Sequence, residues 1–572
     1  MNERPTPSSA AELRPRTGGQ VVVDALRIHG VDTVFSVPGE SFLPVLDALH
    51  EARDSIRLVT CRQEGNAAHM AEAHAKLRGV PGVCLVTRGP GSTNASIGIH
   101  TARQDSTPLV VLVGQVSRAS VGREAWQELD YQAVFGPMTK WAVQVDRAER
   151  LPETLARAFQ VASSGRAGPV VVALPEDLLY ETMTVADTRA YSPVQANPGA
   201  DDLDRLRELL AAARRPLLIV GGGGWSREAC DDLARFAKRF DLPVGTGFRR
   251  QDLIDNHDPQ FAGDVGIGIN AALAKRVREA DLIVALGTRL GETTTQDYSL
   301  VAAPCPAQIL AHIHADVGEL GRVYQPTLAI HSGMAAFCSA AAALPSLFQP
   351  GDAPWADWTA AARADYLATL APPASTLALD MGAVMAHLRE VLPADTIVTN
   401  GAGNYAAWVH RFYRYRGFRT QLAPTSGAMG YGVPAACAAA LAHPDRCVVC
   451  FAGDGCFQMS MQELATAKQY DLRIVFIVVN NGIFGSIRMH QEMHYPGRVY
   501  GTAIENPDFA QLARAYGLHA EVVEATEDFA PAFERARAFQ HAALIELRVD
   551  PEAITPRTTL TALREKALAE RR

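Results

Sequence analysis

Arg446-Cys-Val-Val-Cys-Phe-Ala-Gly-Asp-Gly455 ends an apolar run of strand length on a carboxylate between two glycines. Leu472-Arg-Ile-Val-Phe-Ile-Val-Val-Asn-Asn481 ends a second such run on a pair of amides. Between them, Met459 to Tyr470 carries apolar residues at helical spacing. The pattern predicts one βαβ crossover, with both polar patches at the carboxyl ends of parallel strands. In open α/β sheets those ends are where ligands bind.

The residue types at the two patches suit one kind of ligand. Asp454 and Asn481 offer short, hard oxygen donors, and a magnesium ion takes about six oxygens, commonly one or two carboxylates plus substrate phosphates. Gly453 and Gly455 allow a sharp turn that brings backbone N–H groups against a phosphate. The segment therefore reads as a Mg²⁺–diphosphate clamp. Cys456, beside it, reads as a small loop residue of that clamp.

Working outward, three stretches alternate strands and helices, which predicts an α/β protein of three doubly wound parallel-sheet domains. Their expected limits are 17–185, 200–345 and 377–555, with connectors at about 186–200 and 346–376 and a charged tail at 556–572. A chain of 572 residues is too long for one core. The net charge of −8 gives no footprint for nucleic acid or an anionic membrane surface. Met1 to Arg16 is polar without an apolar leader, and no apolar run approaches membrane-spanning length. Nine cysteines lie mostly in apolar elements, which fits a reduced, cytoplasmic protein.

Other turns carry candidate chemistry. Val34 to Pro38 feeds Gly39-Glu40-Ser41, Arg57 to Cys61 delivers Arg62-Gln63-Glu64 before an Ala-rich helix, and Val83 to Thr87 delivers Arg88-Gly-Pro-Gly91. Thr396 to Asn400 leads into Gly401-Ala-Gly-Asn-Tyr405, a second glycine-rich anion cradle. Ser426-Gly-Ala-Met-Gly-Tyr-Gly-Val-Pro434 places Met429 between glycines, an unusual setting for a core methionine. Pro216 to Val220 opens into Gly221-Gly-Gly-Gly224, which lacks full Gly-x-Gly-x-x-Gly spacing.

Taken together these motifs resemble thiamine-diphosphate enzymes of the acetolactate synthase-like group over nearly the whole chain. The resemblance implies a pyrimidine-binding first domain, a central domain and a diphosphate-binding third domain. It implies that Asp454, Asn481 and the Ile483 carbonyl hold Mg²⁺. Gly403, Asn404, Tyr405, Gly453, Gly455 and Cys456 would line the diphosphate, while Met429 props the cofactor into a bent shape and Gly427 accepts from its amino group. Glu64 would hydrogen-bond the aminopyrimidine, where burial raises a carboxyl group enough to share a proton. Gly122 to Glu128 is similar to the family's Phe-Gln-Glu loop, so Gln127 is expected at the reacting carbon, with Gly39 and His490 as further substrate contacts. His490 stands where the family has tryptophan and reads equally as a solvated helix-face residue.

Departures matter too. Gly287-Thr-Arg-Leu-Gly-Glu-Thr293 replaces the family's Arg-Phe-Asp-Asp-Arg, and Asp264-Val-Gly266 stands where Met-His-Gly is usual, which counts against FAD. Thr293 cannot supply the charged, bidentate grip of an arginine on a second 2-oxo acid, which points to a neutral acceptor. The implied activity is a carboligase that decarboxylates a 2-oxo acid, most simply pyruvate, and passes the acyl carbanion equivalent to an acceptor carbonyl. A 2-oxo acid decarboxylase or 2-hydroxyacyl-CoA lyase is the second possibility, and a non-catalytic cofactor-binding homologue the third. Because Glu64 and the clamp come from different subunits in this family, a homodimer or homotetramer is expected. The tail reads either as a frayed terminal helix or as a lid.

Overall fold

Val448–Gly453 and Val475–Asn480 are neighbouring parallel strands, in register from Val449 opposite Val475 to Gly453 opposite Val479. Both are buried up to their last residue, as strands covered by helices on both faces must be. The computed structural model that shows this describes residues 14–349 and 351–571. The N-terminal stretch without an apolar leader lies, through residue 13, outside them.

The full C-terminal sheet runs Gln421–Leu422, Ile397–Asn400, Val448–Gly453, Val475–Asn480, Ala543–Arg548, His519–Val523. The N-terminal sheet has the same winding: Arg57–Thr60, Thr33–Ser36, Gly82–Val86, Leu109–Gln115, Pro169–Pro175, Trp141–Gln144. The central sheet is wound differently, as Phe261–Val265, Val244–Gly247, Pro216–Val220, Leu282–Leu286, Ile309–His314, Leu328–His331. Every strand pair in the three sheets is parallel. Each sheet has a switch point where the chain reverses its direction of winding. In the C-terminal sheet it lies between Ile397–Asn400 and Val448–Gly453; in the N-terminal sheet, between Thr33–Ser36 and Gly82–Val86.

The first and third domains share one hydrophobic core. It runs from Ala67 and Ala71 on the Glu64–Arg78 helix to Ala435 and Ala439 on the Gly432–Ala442 helix. Both helices bring alanines to this contact, so little side-chain entropy is lost there. This contact fixes the Met429 loop, which immediately precedes the second helix, against the N-terminal domain.

Two local expectations are corrected. The stretch 346–376, read as a connector, contains the Ala356–Ala368 helix. Trp355 Nε1 donates to the Phe240 and Asp241 carbonyls at 3.0 and 2.9 Å, and Trp358 Nε1 to that of Pro216 at 3.0 Å. These indoles carry the helix into the central domain's core, which therefore continues past residue 345. The single helix expected from Met459 to Tyr470 is broken. Helix begins at Asp454 itself, runs to Gln458, turns as a 3₁₀ element at Met461–Glu463 and resumes at Leu464–Gln469. The break at Met459 and Ser460 lies against Gly430, where a β-carbon would come within 3.1 Å of the Met459 Cβ.

Candidate active site

An open cleft lies at the switch point of the C-terminal sheet, where ligands bind in open α/β folds. Its walls come from four separate strand ends and turns. Gly403, Asn404 and Tyr405 follow the first strand; Gly427 and Met429 precede the small-residue helix; Gly453 to Cys456 follow the third strand; Asn481 and Ile483 follow the fourth. Every residue that the sequence assigned to the diphosphate, the bend or the metal lines this one cleft. Trp408 and Ser486 line it as well and were not anticipated.

The polar network at its floor centres on Asp454. Asp454 Oδ1 accepts from the Gly455 N–H at 2.8 Å, and Oδ2 from the Gly482 N–H and from Asn506 Nδ2, both at 2.8 Å. Burial raises the Asp454 carboxyl pKa, and these donors act against the rise. Asn506 also donates to Asn480 Oδ1 at 2.8 Å and accepts from Gln458 Nε2 at 2.7 Å. Asn480 turns away from the cleft, donating to Glu546 at 2.8 Å. Asn481 Oδ1 has only a long 3.3 Å contact from the Ile483 N–H, which leaves it available to a further partner. A carboxylate, an amide oxygen and the backbone of Ile483 on one wall form an all-oxygen donor set of the kind Mg²⁺ takes.

On the opposite wall, Gly403 has φ of +147°, a conformation open to glycine, and a β-carbon there would lie 2.9 Å from the Tyr405 ring. The Tyr405 hydroxyl accepts from the Gly401 N–H at 2.9 Å and donates to Cys456 Sγ at 3.5 Å. Burial, and then Cys456, push that phenol well above its ordinary range. Cys456 Sγ also accepts from the Gly430 N–H at 3.0 Å, so it ties the Tyr405 turn to the Met429 loop. Asn404 Oδ1 accepts from the Ser486 hydroxyl at 2.7 Å. A backbone-lined cradle facing an oxygen donor set fits a metal-bound diphosphate.

The remaining predicted residues form a second group. Glu64 heads its helix, half-buried, and its Oε2 accepts from Asn94 Nδ2 at 2.9 Å. A β-carbon on Gly91 would lie 3.3 Å from Glu64 Oε1, and one on Gly39 only 2.5 Å from Thr87 Cβ. Gln127 has φ of +66°, and its carbonyl accepts from the Gly89 N–H at 3.0 Å. Gly39, Glu64 and Gln127 thus gather around the Thr87–Gly91 turn, at the switch point of the N-terminal sheet. None of them lines the cleft within this chain. His490 is exposed on the Gly485–His494 helix, its ring parallel to that of His494 with centroids 6.1 Å apart, and it does not line the cleft either. Thr293 lines a separate groove at the central sheet's switch point, with Gly221, Gly222, Arg250 and Arg289.

Three family models match the chain in the order of its domains. Residues 16–134 match the N-terminal TPP binding domain of thiamine pyrophosphate enzymes, 203–341 their central domain and 401–547 their C-terminal TPP binding domain. The chain belongs to the thiamine pyrophosphate enzymes. Among these enzymes it is acetolactate synthase-like. It is 35% identical to the acetolactate synthase large subunit of Parasynechococcus marenigrum over 515 residues, 88% of this chain and 82% of that one. It is 32% identical over 511 residues to the isozyme 2 large subunit of Escherichia coli K12, covering 88% and 90%. An acetolactate synthase of Mycobacterium bovis matches at 33% over 541 residues, covering 92% and 87%. Among the described residues of this thiamine pyrophosphate enzyme, no helix is long and apolar enough to cross a membrane.

Proposed function

We propose that this thiamine pyrophosphate enzyme is a Mg²⁺-dependent carboligase. Its substrates would be a 2-oxo acid donor, most simply pyruvate, and an acceptor carbonyl. The observation that carries the proposal is the convergence of Asp454, Asn481 and Ile483 with the Gly403–Tyr405 cradle and Met429 on one cleft. When bound there, thiamine diphosphate supplies an acidic carbon and an electron sink for the decarboxylated donor. Asp454, Asn481 and the Ile483 carbonyl would hold the metal. Gly403, Asn404, Tyr405, Gly453, Gly455 and Cys456 would line the diphosphate, and Gly427 and Met429 would support the bend. Glu64 would hold a proton on the pyrimidine, and Gln127 would face the substrate with Gly39. His490, exposed in the single chain, would reach substrate only in an assembly.

The separation of the two groups supports such an assembly. The N-terminal edge exposes Leu43, Ile97 and Trp126, the last at 73%. The cleft's surroundings expose Met459, Ile487 and Tyr500, the last at 89%. A homodimer or homotetramer with shared active sites would cover these exposed apolar side chains on both sides. The departures at Asp264–Gly266 and Gly287–Thr293 support a central domain without FAD. All nine cysteines are free, in keeping with a cytoplasmic setting.

The test is incubation with thiamine diphosphate, Mg²⁺ and pyruvate, with and without a panel of aldehydes and 2-oxo acids, with products identified by mass. The expected result is a condensation product that depends on the acceptor. Free aldehyde alone would replace the carboligase with a decarboxylase, and absence of any conversion alongside full cofactor binding would leave a non-catalytic homologue.

A further inference from the structure

A buried ionic cluster borders the Thr293 groove, which Lys76, Asp105 and Thr425 also line. Glu72 and Lys76 lie one turn apart on the Glu64–Arg78 helix and meet Asp105, the last residue of the Gly89–Asp105 helix. Lys76 Nζ lies 3.0 Å from Glu72 Oε1 and is paired with Asp105 Oδ2. The three side chains are 10% exposed or less, and that of Glu72 is 0% exposed. Two carboxylates share one ammonium. Burying such a set is costly, and apolar residues of the same volume hold helices together as well or better. The cluster therefore calls for a purpose other than helix packing.

Its outward-facing oxygens supply one. Asp105 Oδ1 accepts from the Thr425 N–H at 2.8 Å and also from the Thr425 hydroxyl. Glu72 Oε2 accepts from the Tyr431 hydroxyl at 2.7 Å, while its Oε1 accepts from Thr107 at 2.6 Å. One turn before Asp105, the Thr101 hydroxyl lies 3.1 Å from that of Ser426. Arg249 of the central domain donates to the Pro424 carbonyl. Apart from the Thr107 bond, these fall at the two ends of a single segment, 424–431. Its middle carries Gly427 and Met429, which line the cleft. Gly427 and Gly430 have φ of +71° and +80°, and nothing lies within 4 Å of a β-carbon built on Gly427. The middle of the loop is held by its ends, by the Gly430 N–H on Cys456 and by the packing of Met429 against the third domain's core.

We propose that Glu72, Lys76 and Asp105 are positioning residues: they fasten both ends of the 424–431 loop and so set where Gly427 and Met429 meet the cofactor. The proposal rests on the cleft being the thiamine diphosphate site. The same helix presents Glu64 at its start, so one rigid element carries both the pyrimidine's carboxylate and the anchor of the loop that bends a cofactor. Lys76 keeps the two acceptor carboxylates compatible with each other. Its removal would strand both, whereas removing Asp105 leaves a balanced Lys76–Glu72 pair.

The test is therefore a cycle on Asp105→Ala and Thr425→Val in the full-length chain. The dissociation constant of thiamine diphosphate is measured by calorimetry at saturating Mg²⁺, and the melting temperature of each apoprotein is recorded beside it. A loop that is correctly placed only a tenth of the time weakens apparent affinity about tenfold, the effect expected of Asp105→Ala. Thr425→Val keeps its N–H and loses one bond, for an expected loss of about threefold. The double variant should bind like Asp105→Ala alone, because that substitution already severs the bond Thr425→Val removes. Unchanged affinity with a lowered melting temperature would reduce the cluster to a structural role and overturn the proposal. So would a double variant weakened about thirtyfold, the product of the two single effects. Should Asp105→Ala fail to fold, the threefold loss on Thr425→Val, at a half-buried loop position, decides alone. Asp454→Ala runs in parallel: affinity equal to that of the unmodified chain would show that the cleft itself has been misassigned.

Discussion

Replacing Asn506 by alanine should weaken Mg²⁺ binding without unfolding the protein. One amide nitrogen of Asn506 donates at 2.8 Å to both Asp454 Oδ2 and Asn480 Oδ1, while its oxygen accepts from Gln458 at 2.7 Å. Asp454 keeps the Gly455 and Gly482 N–H groups after the change, so its carboxylate remains solvated by the backbone. What it loses is one of the two donors on Oδ2, and with it the tie from that oxygen to Asn480 and Gln458. A hydrogen bond to a charged group contributes about 1.5–3 kcal/mol. Asn506 is only half-buried, which favours the lower end, about 1.5 kcal/mol or roughly tenfold in affinity. Outer partners of metal ligands commonly cost about 10–100-fold when removed, which brackets the same figure. The assay is a Mg²⁺ titration at saturating thiamine diphosphate, read by quenching of Trp408, which lines the cleft. The chain has six tryptophans, so Trp408→Phe identifies the signal. A Mg²⁺ midpoint within about twofold of the parent, in a folded Asn506→Ala protein, would refute the claim that this amide helps to hold the metal-binding carboxylate.

Two further outcomes follow from the same geometry. Glu64→Gln should retain thiamine diphosphate affinity yet slow exchange of the cofactor's C2 proton with deuterium by about 100-fold or more, the lower range for a lost acid–base group; exchange at the parent rate, followed by nuclear magnetic resonance, would remove Glu64 from proton transfer. Arg564→Leu should loosen the Leu560–Ala569 helix, because Arg564 makes two bonds of 2.6 and 2.8 Å to the buried Glu492 on the Gly485–His494 helix. Arg564, followed by the Gly497 N–H and Arg488, holds the Glu492 carboxyl down at about 2. A depressed carboxyl pKa stabilises the fold above the unfolded value of about 4.3 and ceases to do so as pH falls toward about 2. With Arg564 34% exposed, the loss near neutrality should be about 1 kcal/mol. It should shrink between about pH 4.3 and 2 in urea titrations, and a constant difference across that window would contradict the assigned pairing.

The fold and the third-domain site were legible for a common reason. A parallel sheet places the carboxyl ends of all its strands on one edge, so turns identified separately along the chain converge whatever the length of the helices between them. Gly403, Met429, Asp454 and Asn481 could each be found as a strand-end or helix-start feature, and topology then brought them together. Asn506 had no such sign. It sits in an irregular return segment that pairs Ile483 with Ala503 and donates from Ile504 N–H to the Gly482 carbonyl at 2.8 Å. Nothing periodic marks such a segment. The Ala356–Ala368 helix was hidden differently: its composition resembles a linker, and only the tertiary bonds of Trp355 and Trp358 reveal where it belongs. Asp105 and Thr425 lie 320 positions apart, and neither residue type announces the other.

On the proposed reading, Glu64 is where a single chain stops being sufficient. Its place at a strand-to-helix junction was readable, yet folding delivers it to the N-terminal switch point rather than to the cleft. The reason lies in how the two similarly wound domains dock. Their shared core joins the Glu64–Arg78 and Gly432–Ala442 helices, so the two sheets meet through covering helices and not through the strand ends that bear the site residues. Within one chain Glu64 does not line the cleft. A second copy can supply it. If the Glu64 edge of one subunit seats on the cleft of its partner, two-fold symmetry makes the reciprocal contact at the same time, and two complete sites arise from two incomplete ones. The exposed Trp126, Ile487 and Tyr500 then become interior residues. Symmetry of this kind belongs to the assembly, so no local pattern in the sequence could have carried it.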